Sequence, residues 1–225
     1  MAYLIFILVA AVSFFVQNNF QRKFKKYSRL PLSRSMTGKD VAEKMLRDNG
    51  IYDVKVQCTG GVLSDHYNPA NKTVNLSQGV YSSNSIAAAA VAAHECGHAV
   101  QHATKYTPLV LRSSLVPIVS FASSWVQWIL LAGILLIQVF PQVLLFGVIL
   151  FATTTLFSVV TLPVEINASV RAIGWLKRAG ITYGESTEYA KDALKSAAYT
   201  YVVAALSSLA TLFYYVMILL GRQRD

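Results

Sequence analysis

Three long stretches without a single charged residue constrain the fold of this chain more than any other feature of its sequence. They are residues 115–140, 143–162 and 197–220. An α-helix needs about 20 predominantly apolar residues to cross the hydrocarbon core of a bilayer, and each stretch reaches that length. Pro141 separates the first two, which predicts a tight turn and a helical hairpin. The sequence therefore predicts a predominantly α-helical membrane protein.

The composition points the same way. Hydrophobic residues make up 54% of the chain and charged residues only 14%, whereas charged residues are about a quarter of an average soluble domain. The net charge of +9 indicates either nucleic acid or a membrane surface as partner. We favour the lipid bilayer and predict no nucleic-acid partner, because the basic residues flank apolar stretches and form no aromatic-lined groove. Two cysteines, Cys58 and Cys96, are too few for a disulfide framework.

Residues 1–16 form a fourth apolar stretch that is short for a membrane span. A thinner bilayer or local adjustment would accommodate it. No basic segment precedes it and no small-x-small cleavage site precedes Gln17, so we predict a retained anchor rather than a cleaved signal peptide. The expected total is about four transmembrane helices.

The basic residues also predict the orientation in the membrane. One group follows the anchor and another follows the third span: Arg22, Lys23, Lys25, Lys26, Arg29 and Arg34, then Arg171, Lys177, Arg178, Lys191 and Lys195. Only Arg222 and Arg224 fall on the opposite side. Because positive charge is retained in the cytoplasm, both large loops are predicted to be cytoplasmic. Independently of this rule, two crossings separate His94 from Glu165, so both must lie on the same side.

These boundaries predict five regions. They are the anchor 1–16, a cytoplasmic segment 17–113, the hairpin 114–162, a cytoplasmic helical segment 163–196 and the span 197–220.

In the first cytoplasmic segment, Thr37 and Asp40 have the spacing of a capping box, and they come before a helix that ends at Asn49-Gly50. Residues 52–57 alternate as a strand does, and residues 62–67 and 73–77 flank a turn as in a hairpin. Another helix begins after Asn84 or Ser85 and runs through His102. This small α+β segment should pack on the membrane helices, because about 70 residues make a marginal core.

The run His94-Glu95-Cys96-Gly97-His98 is a candidate zinc site. Histidines four residues apart share one face of a helix, so both rings can reach one ion. Zinc would lower the pKa of a bound water to about 7, and Glu95 would act as general base in peptide hydrolysis. Cys96 should point away from the two histidines and pack as a small residue. The competing interpretation, a helix with two structural histidines, places a glutamate where a buried helix avoids charge.

A catalytic zinc needs a third protein ligand. His102 is two turns from His94, about 12 Å along the axis, which is too far for one ion. His66 on the predicted hairpin is possible, but Glu165 is the better candidate because the topology brings it to the same side as His94. Pro163 just before it is typical of a helix first turn or a break.

These motifs resemble a family of small bacterial membrane proteins named "putative neutral zinc metallopeptidases". The likeness runs nearly end to end and is carried by Asp65-His66-Tyr67-Asn68-Pro69, by residues 94–102 and by Glu165-Ile166-Asn167-Ala168-Ser169. The resemblance implies a zinc peptidase, and says little about the substrate.

More distantly, the chain is similar to membrane-associated glutamate-zincins, which carry H-E-x-x-H and a later E-x-x-x-D. This likeness implies a zincin-like segment in which His94, His98 and Glu165 are zinc ligands and Glu95 is the base. It also implies an aspartate that orients a ligand histidine, but Ser169 stands at that position, so Asp65, Asn167 or Ser169 would take this role.

The same likeness implies a substrate-binding edge strand at Thr73, Val74, Asn75 and Leu76, although an ordinary core strand is an equally simple interpretation. Candidate oxyanion-stabilising residues are His66, Tyr67, Tyr81 and Arg171.

The leading hypothesis is a zinc-dependent endopeptidase that acts from the cytoplasmic side on membrane or membrane-proximal polypeptides. The alternative is a non-catalytic zinc-braced scaffold or adaptor. A transporter is disfavoured, because none of the spans contains the internal charged residues that transport paths usually need.

Overall fold

The computed structural model describes residues 2–33 and 35–221, with side chains from Ile7 onward. Arg34, Arg222 and Arg224, which contribute to the orientation prediction, lie outside the described residues. The elements in chain order are α1 (Ala2–Tyr27), α2 (Gly38–Asp48), β1 (Lys55–Thr59), β2 (His66–Asn68), β3 (Thr73–Ser77), α3 (Gln78–Tyr81), α4 (Ile86–Ala103), α5 (Thr107–Leu135), α6 (Pro141–Arg178) and α7 (Glu185–Gly221). The protein is therefore mostly helical, as predicted.

Helices α5, α6 and α7 are long and apolar enough to cross a membrane. Residues 136–140 join α5 to α6, and Pro141 is the first residue of α6, so the predicted helical hairpin is confirmed. Gly133 lies where the two helices meet, because a Cβ there would come within 2.6 Å of the Leu144 backbone.

The expectation of a helix start or break at Pro163 is wrong. Pro163 lies inside α6, where the remaining bonds of the helix outweigh the loss of one N–H donor.

Helix α1 continues through the apolar stretch that begins the chain and ends only at Tyr27. Within the described part of the chain, α1 is not among the three helices that are long and apolar enough to cross a membrane. Its basic end packs on α7, where Lys23 Nζ lies 2.6 Å from Asp192 Oδ1. Tyr27 donates a hydrogen bond of 2.6 Å to the same carboxylate and stacks on Tyr189. The start of α7 therefore holds the end of α1 in place.

The three strands form one small sheet in the order β1-β3-β2. The predicted hairpin is confirmed, because β2 and β3 pair antiparallel, and β1 pairs with β3 in parallel. The first strand begins at Lys55 rather than at residue 52.

The prediction of a substrate-binding edge strand at Thr73, Val74, Asn75 and Leu76 is wrong. Strand β3 is central, both of its edges are hydrogen-bonded to neighbours, and its apolar side chains are fully buried.

A single large core joins the sheet and helices α2 and α4 to the ends of α6 and α7. The predicted capping box of α2 is confirmed by reciprocal bonds between Thr37 and Asp40. Seven alanines of α4 are buried: Ala87, Ala88, Ala89, Ala90, Ala92, Ala93 and Ala99. All of them except Ala87 share this core with Ala172 and Leu176 of α6. As predicted, the α+β segment packs on the membrane helices.

Candidate metal centre

Helix α4 carries the two histidines on one face. Ser85 begins the helix, and its hydroxyl accepts a bond from the amide of Ala88. The rings of His94 and His98 lie side by side, with centroids 4.8 Å apart and planes nearly perpendicular. Cys96 points the other way, is fully buried and lies 3.5 Å from the carbonyl of Ala42. Burial, reinforced by the nearby charge of Glu95, raises the pKa of the Cys96 thiol, so this residue is a neutral packing group.

Helix α6 brings Glu165 to the two histidines. Its Oε2 lies 3.3 Å from Nε2 of His94 and 3.6 Å from Nε2 of His98. One donor atom from each of the three residues lies within 4.8 Å of the others. The Glu165 carboxylate is buried, with 4% of the residue exposed. Two imidazole nitrogens and one carboxylate oxygen are a donor set that suits zinc.

Close contact between the two helices makes this approach possible. A Cβ at Gly97, between the two histidines, would lie 2.7 Å from the carbonyl oxygen of Ala168 on α6. Only a residue without a side chain allows α4 and α6 to pack at this distance. Gly97 is therefore the residue that permits the close approach of these two helices.

In each histidine, Nδ1 has a hydrogen-bonding partner of its own. Ser169 Oγ lies 3.1 Å from Nδ1 of His94, and Gln101 Oε1 lies 3.0 Å from Nδ1 of His98. The Gln101 amide donates to the carbonyl of Val164 and to Asn167 Oδ1, at 2.8 and 3.0 Å. These bonds direct both Nε2 atoms toward Glu165. Of the three residues considered for this role, Ser169 contacts a histidine directly, whereas Asn167 acts through Gln101.

Acidic neighbours favour the positively charged form of His98. Burial lowers the pKa of His98, but the hydrogen bond to Glu165 and the charges of Glu95 and Glu165 outweigh burial and raise it. A site that binds a proton more tightly for this reason is also electrostatically suited to a metal cation.

Glu95 lies beside the three-residue group and is not part of it. Its Oε2 accepts a 3.0 Å bond from the amide of Tyr67 on β2. Tyr67 in turn bonds through its hydroxyl to Nδ1 of His102, at 2.9 Å. His102 thus supports β2, which agrees with its exclusion as a ligand.

His66 and Asp65, two other candidates from the sequence, form hydrogen bonds away from the three-residue group. His66 is exposed, its Nδ1 lies 2.8 Å from the carbonyl of Ser64, and it does not join the three-residue group. Asp65 accepts bonds from the amide and hydroxyl of Ser77, and burial raises its pKa. Asp65 therefore fastens the start of β2 to the end of β3.

Three residues near the group escaped the sequence analysis. Gln101 could have been recognised, because it lies three residues after His98 on the same helical face. Arg112 on α5 places Nη1 3.4 Å from Glu165 Oε1. Tyr201 on α7 lines the same two cavities as Glu165. Tyr201 sits in an apolar span, where no pattern distinguished it from a lipid-facing residue.

Two cavities meet at the group. One, of about 720 Å³, is lined by β2 and the first turns of α5, including Leu109, Val110 and Val116. The other, of about 310 Å³, lies between α1 and α7. Both cavities are lined by Asp65, His94, Glu95, Glu165 and Tyr201. Their linings include His66 and Tyr67, but neither Tyr81 nor Arg171. A ligand could thus approach the group from two sides.

Comparison with known proteins gives two matches. Residues 2–220 match the family described as "Putative neutral zinc metallopeptidase". The chain is 42% identical over 224 residues to a Bacillus subtilis (strain 168) protein described as "Putative membrane protease YugP", covering 98% of this chain and 99% of that protein. No solved structure matches the chain.

Proposed function

The chain belongs to the "Putative neutral zinc metallopeptidase" family, and from this premise we propose that it is a membrane-embedded, zinc-dependent endopeptidase. The observation that carries the proposal is the meeting of His94, His98 and Glu165 beside Glu95, at a point where two cavities join. The three donors would hold one zinc ion, and the cavities would leave its fourth position open. Zinc, when bound, supplies the Lewis acidity that lowers the pKa of a water molecule and polarises a peptide carbonyl.

Glu95 is proposed as the general base. Glu95 is 8% exposed, and its carboxylate is oriented by the amide of Tyr67. It would accept a proton from the attacking water and pass this proton to the leaving amine. Ser169 and Gln101 would fix the ring orientation of the two histidines, which makes Ser169 a functional replacement for the aspartate of distant relatives.

Tyr201 is proposed to stabilise the oxyanion in the transition state. Its side chain lines both cavities at the point where they meet, and a phenol there can donate a hydrogen bond to the developing charge. Of the four residues named from the sequence for this role, Tyr81 and Arg171 lie outside both cavity linings, whereas His66 and Tyr67 line only the larger cavity.

The substrate is proposed to be a membrane or membrane-proximal polypeptide. Strand β2 lies at the edge of the sheet and lines the larger cavity through His66 and Tyr67. An extended substrate would pair with β2 rather than with the central strand β3. The cavity continues onto apolar turns of α5, a helix long and apolar enough to enter the bilayer. We further propose α1 as a fourth membrane helix and the cytoplasm as the side of the site.

Two measurements on purified protein test this proposal. The zinc content should be one ion per chain for the wild type and for Glu95→Gln, and should fall strongly for His98→Ala and Glu165→Ala. Glu95→Gln should abolish hydrolysis of a casein-type test substrate while the fold and zinc are retained. A Glu95→Gln variant with full activity would refute the catalytic role. Full zinc in Glu165→Ala would refute the third ligand.

A further inference from the structure

Another groove, with mainly apolar walls, lies between α6 and α7. Its volume is about 530 Å³, which is within the usual range of small-molecule sites. Ile166 and Val170 of α6 line one wall and Val202 of α7 the other. Ile166 and Val170 are 48% and 64% exposed, although they are large apolar residues. The groove extends from the start of the apolar stretch 197–220 of α7 to residues just beyond the stretch 143–162 of α6. It therefore lies at the level where the two helices would leave the hydrocarbon of a bilayer.

One end of this groove is positively charged. Lys191 and Lys195, one helical turn apart on α7, belong to its lining. Both lysines come before the apolar stretch 197–220 of α7. They therefore lie at the end of the groove that is outside this stretch. Tyr199 follows one turn later and lies under the Lys195 ammonium, with 5.8 Å from Nζ to the ring centroid. Lysine and tyrosine at the same level are typical of the interface between headgroups and hydrocarbon.

Nearby acidic groups do not neutralise this end. Glu188 is 3.7 Å from Lys191, but both side chains are largely exposed, so their attraction is weak. Asp192 already accepts bonds from Lys23 and Tyr27 at 2.6 Å each. An anionic group placed at Lys191 and Lys195 would therefore meet a net positive field.

We propose that this groove binds one anionic phospholipid, with its phosphate at Lys191 and Lys195 and an acyl chain along Ile166, Val170 and Val202. The charged entrance and the apolar walls match the two chemical parts of such a lipid. An apolar peptide segment would fill the space between the walls but would give neither ammonium group an anionic partner beyond the exposed Glu188. Catalysis and zinc play no part in this inference, so it stands or falls separately from the proposed function.

Thermal unfolding of the full chain in detergent tests the proposal. Dioleoyl phosphatidylglycerol should raise the melting temperature by about 3–5 °C for each tenfold excess over its dissociation constant. Dioleoyl phosphatidylcholine, with the same chains, should have little effect. The double variant Lys191→Gln/Lys195→Gln should lose most of the shift. Lys39→Gln/Lys44→Gln removes two lysines that also have exposed acidic partners, and should keep the shift.

A second pair of variants tests the apolar walls. Val170→Trp should fill the groove and reduce the lipid shift with both lysines present, whereas Leu206→Trp, at an equally exposed apolar position outside the lining, should not. An unchanged shift in Val170→Trp would mean adsorption of headgroups alone and would overturn the proposal. Equal stabilisation by phosphatidylcholine, or by a short uncharged apolar peptide, would overturn it as well.

Discussion

Replacing Gly97 with alanine tests whether the candidate centre depends on close packing of α4 against α6. The new Cβ would lie 2.7 Å from the Ala168 carbonyl oxygen, compared with about 3.5 Å for an ordinary contact. The obstacle is backbone, which cannot rotate away as a side chain can. The two helices would therefore have to separate by about 0.8 Å, which exceeds the tolerance of about 0.5 Å for a functional site.

The expected magnitude combines two opposing effects. Alanine is favoured over glycine inside a helix by about 0.5–1 kcal/mol. Overpacking of a dense interface costs about 1–3 kcal/mol. We expect Gly97→Ala to lower the free energy of unfolding by about 1–2 kcal/mol, equivalent to a fall of about 2–8 °C in melting temperature for a chain of this size. Zinc content should fall as well, because Gly97 lies between the two histidines.

Thermal unfolding and metal analysis in the same detergent measure both effects. Gly79→Ala is the matched control, because it makes the same change in another helix where a Cβ would meet nothing within 4 Å. A Gly97→Ala protein that is as stable as the wild type and binds one zinc would refute the argument.

Two further predictions concern residues around the centre. Ser169→Ala removes the hydroxyl 3.1 Å from His94 Nδ1, and should weaken zinc affinity by about 10–100-fold in a competition titration with a chelator. Ser158→Ala, which removes a serine hydroxyl bonded only within α6, is its control, and equal affinities would exclude an orienting role. Tyr201→Phe should lower kcat by about 10²–10³-fold with little change in KM and full zinc content. A change in KM alone would instead assign Tyr201 to substrate binding.

The sequence was most informative where one local pattern had one structural solution. The spacing of His94 and His98 on a helix, the capping box at Thr37 and the hairpin at Pro141 depend on short-range geometry, and all three are confirmed. The meeting of His94 with Glu165 followed from counting membrane crossings, and the structure places their side chains 3.3 Å apart.

Long-range packing determined what the sequence analysis missed. The period-two pattern of Thr73–Ser77 identifies a strand but does not say how many neighbours it has. The sequence therefore left an edge strand and a core strand open, and the structure confirms the core strand. Pro163 ends many helices in water, yet the packed surroundings of α6 keep the helix intact. Arg112 and Tyr201 come from distant elements, and only the folded arrangement of α5 and α7 brings them to the cavities at Glu165.

The order of the ligands along the chain also governs when the candidate centre can exist. His94 is 71 residues ahead of Glu165, with the whole α5–α6 hairpin between them. At about 5–20 residues per second, a ribosome needs roughly 4–14 s to cover that interval. During that time the chain offers the two histidines and Glu95, but not the Glu165 carboxylate. The three-residue group is completed only when the hairpin has folded back, so it stays incomplete throughout the synthesis and membrane insertion of that hairpin.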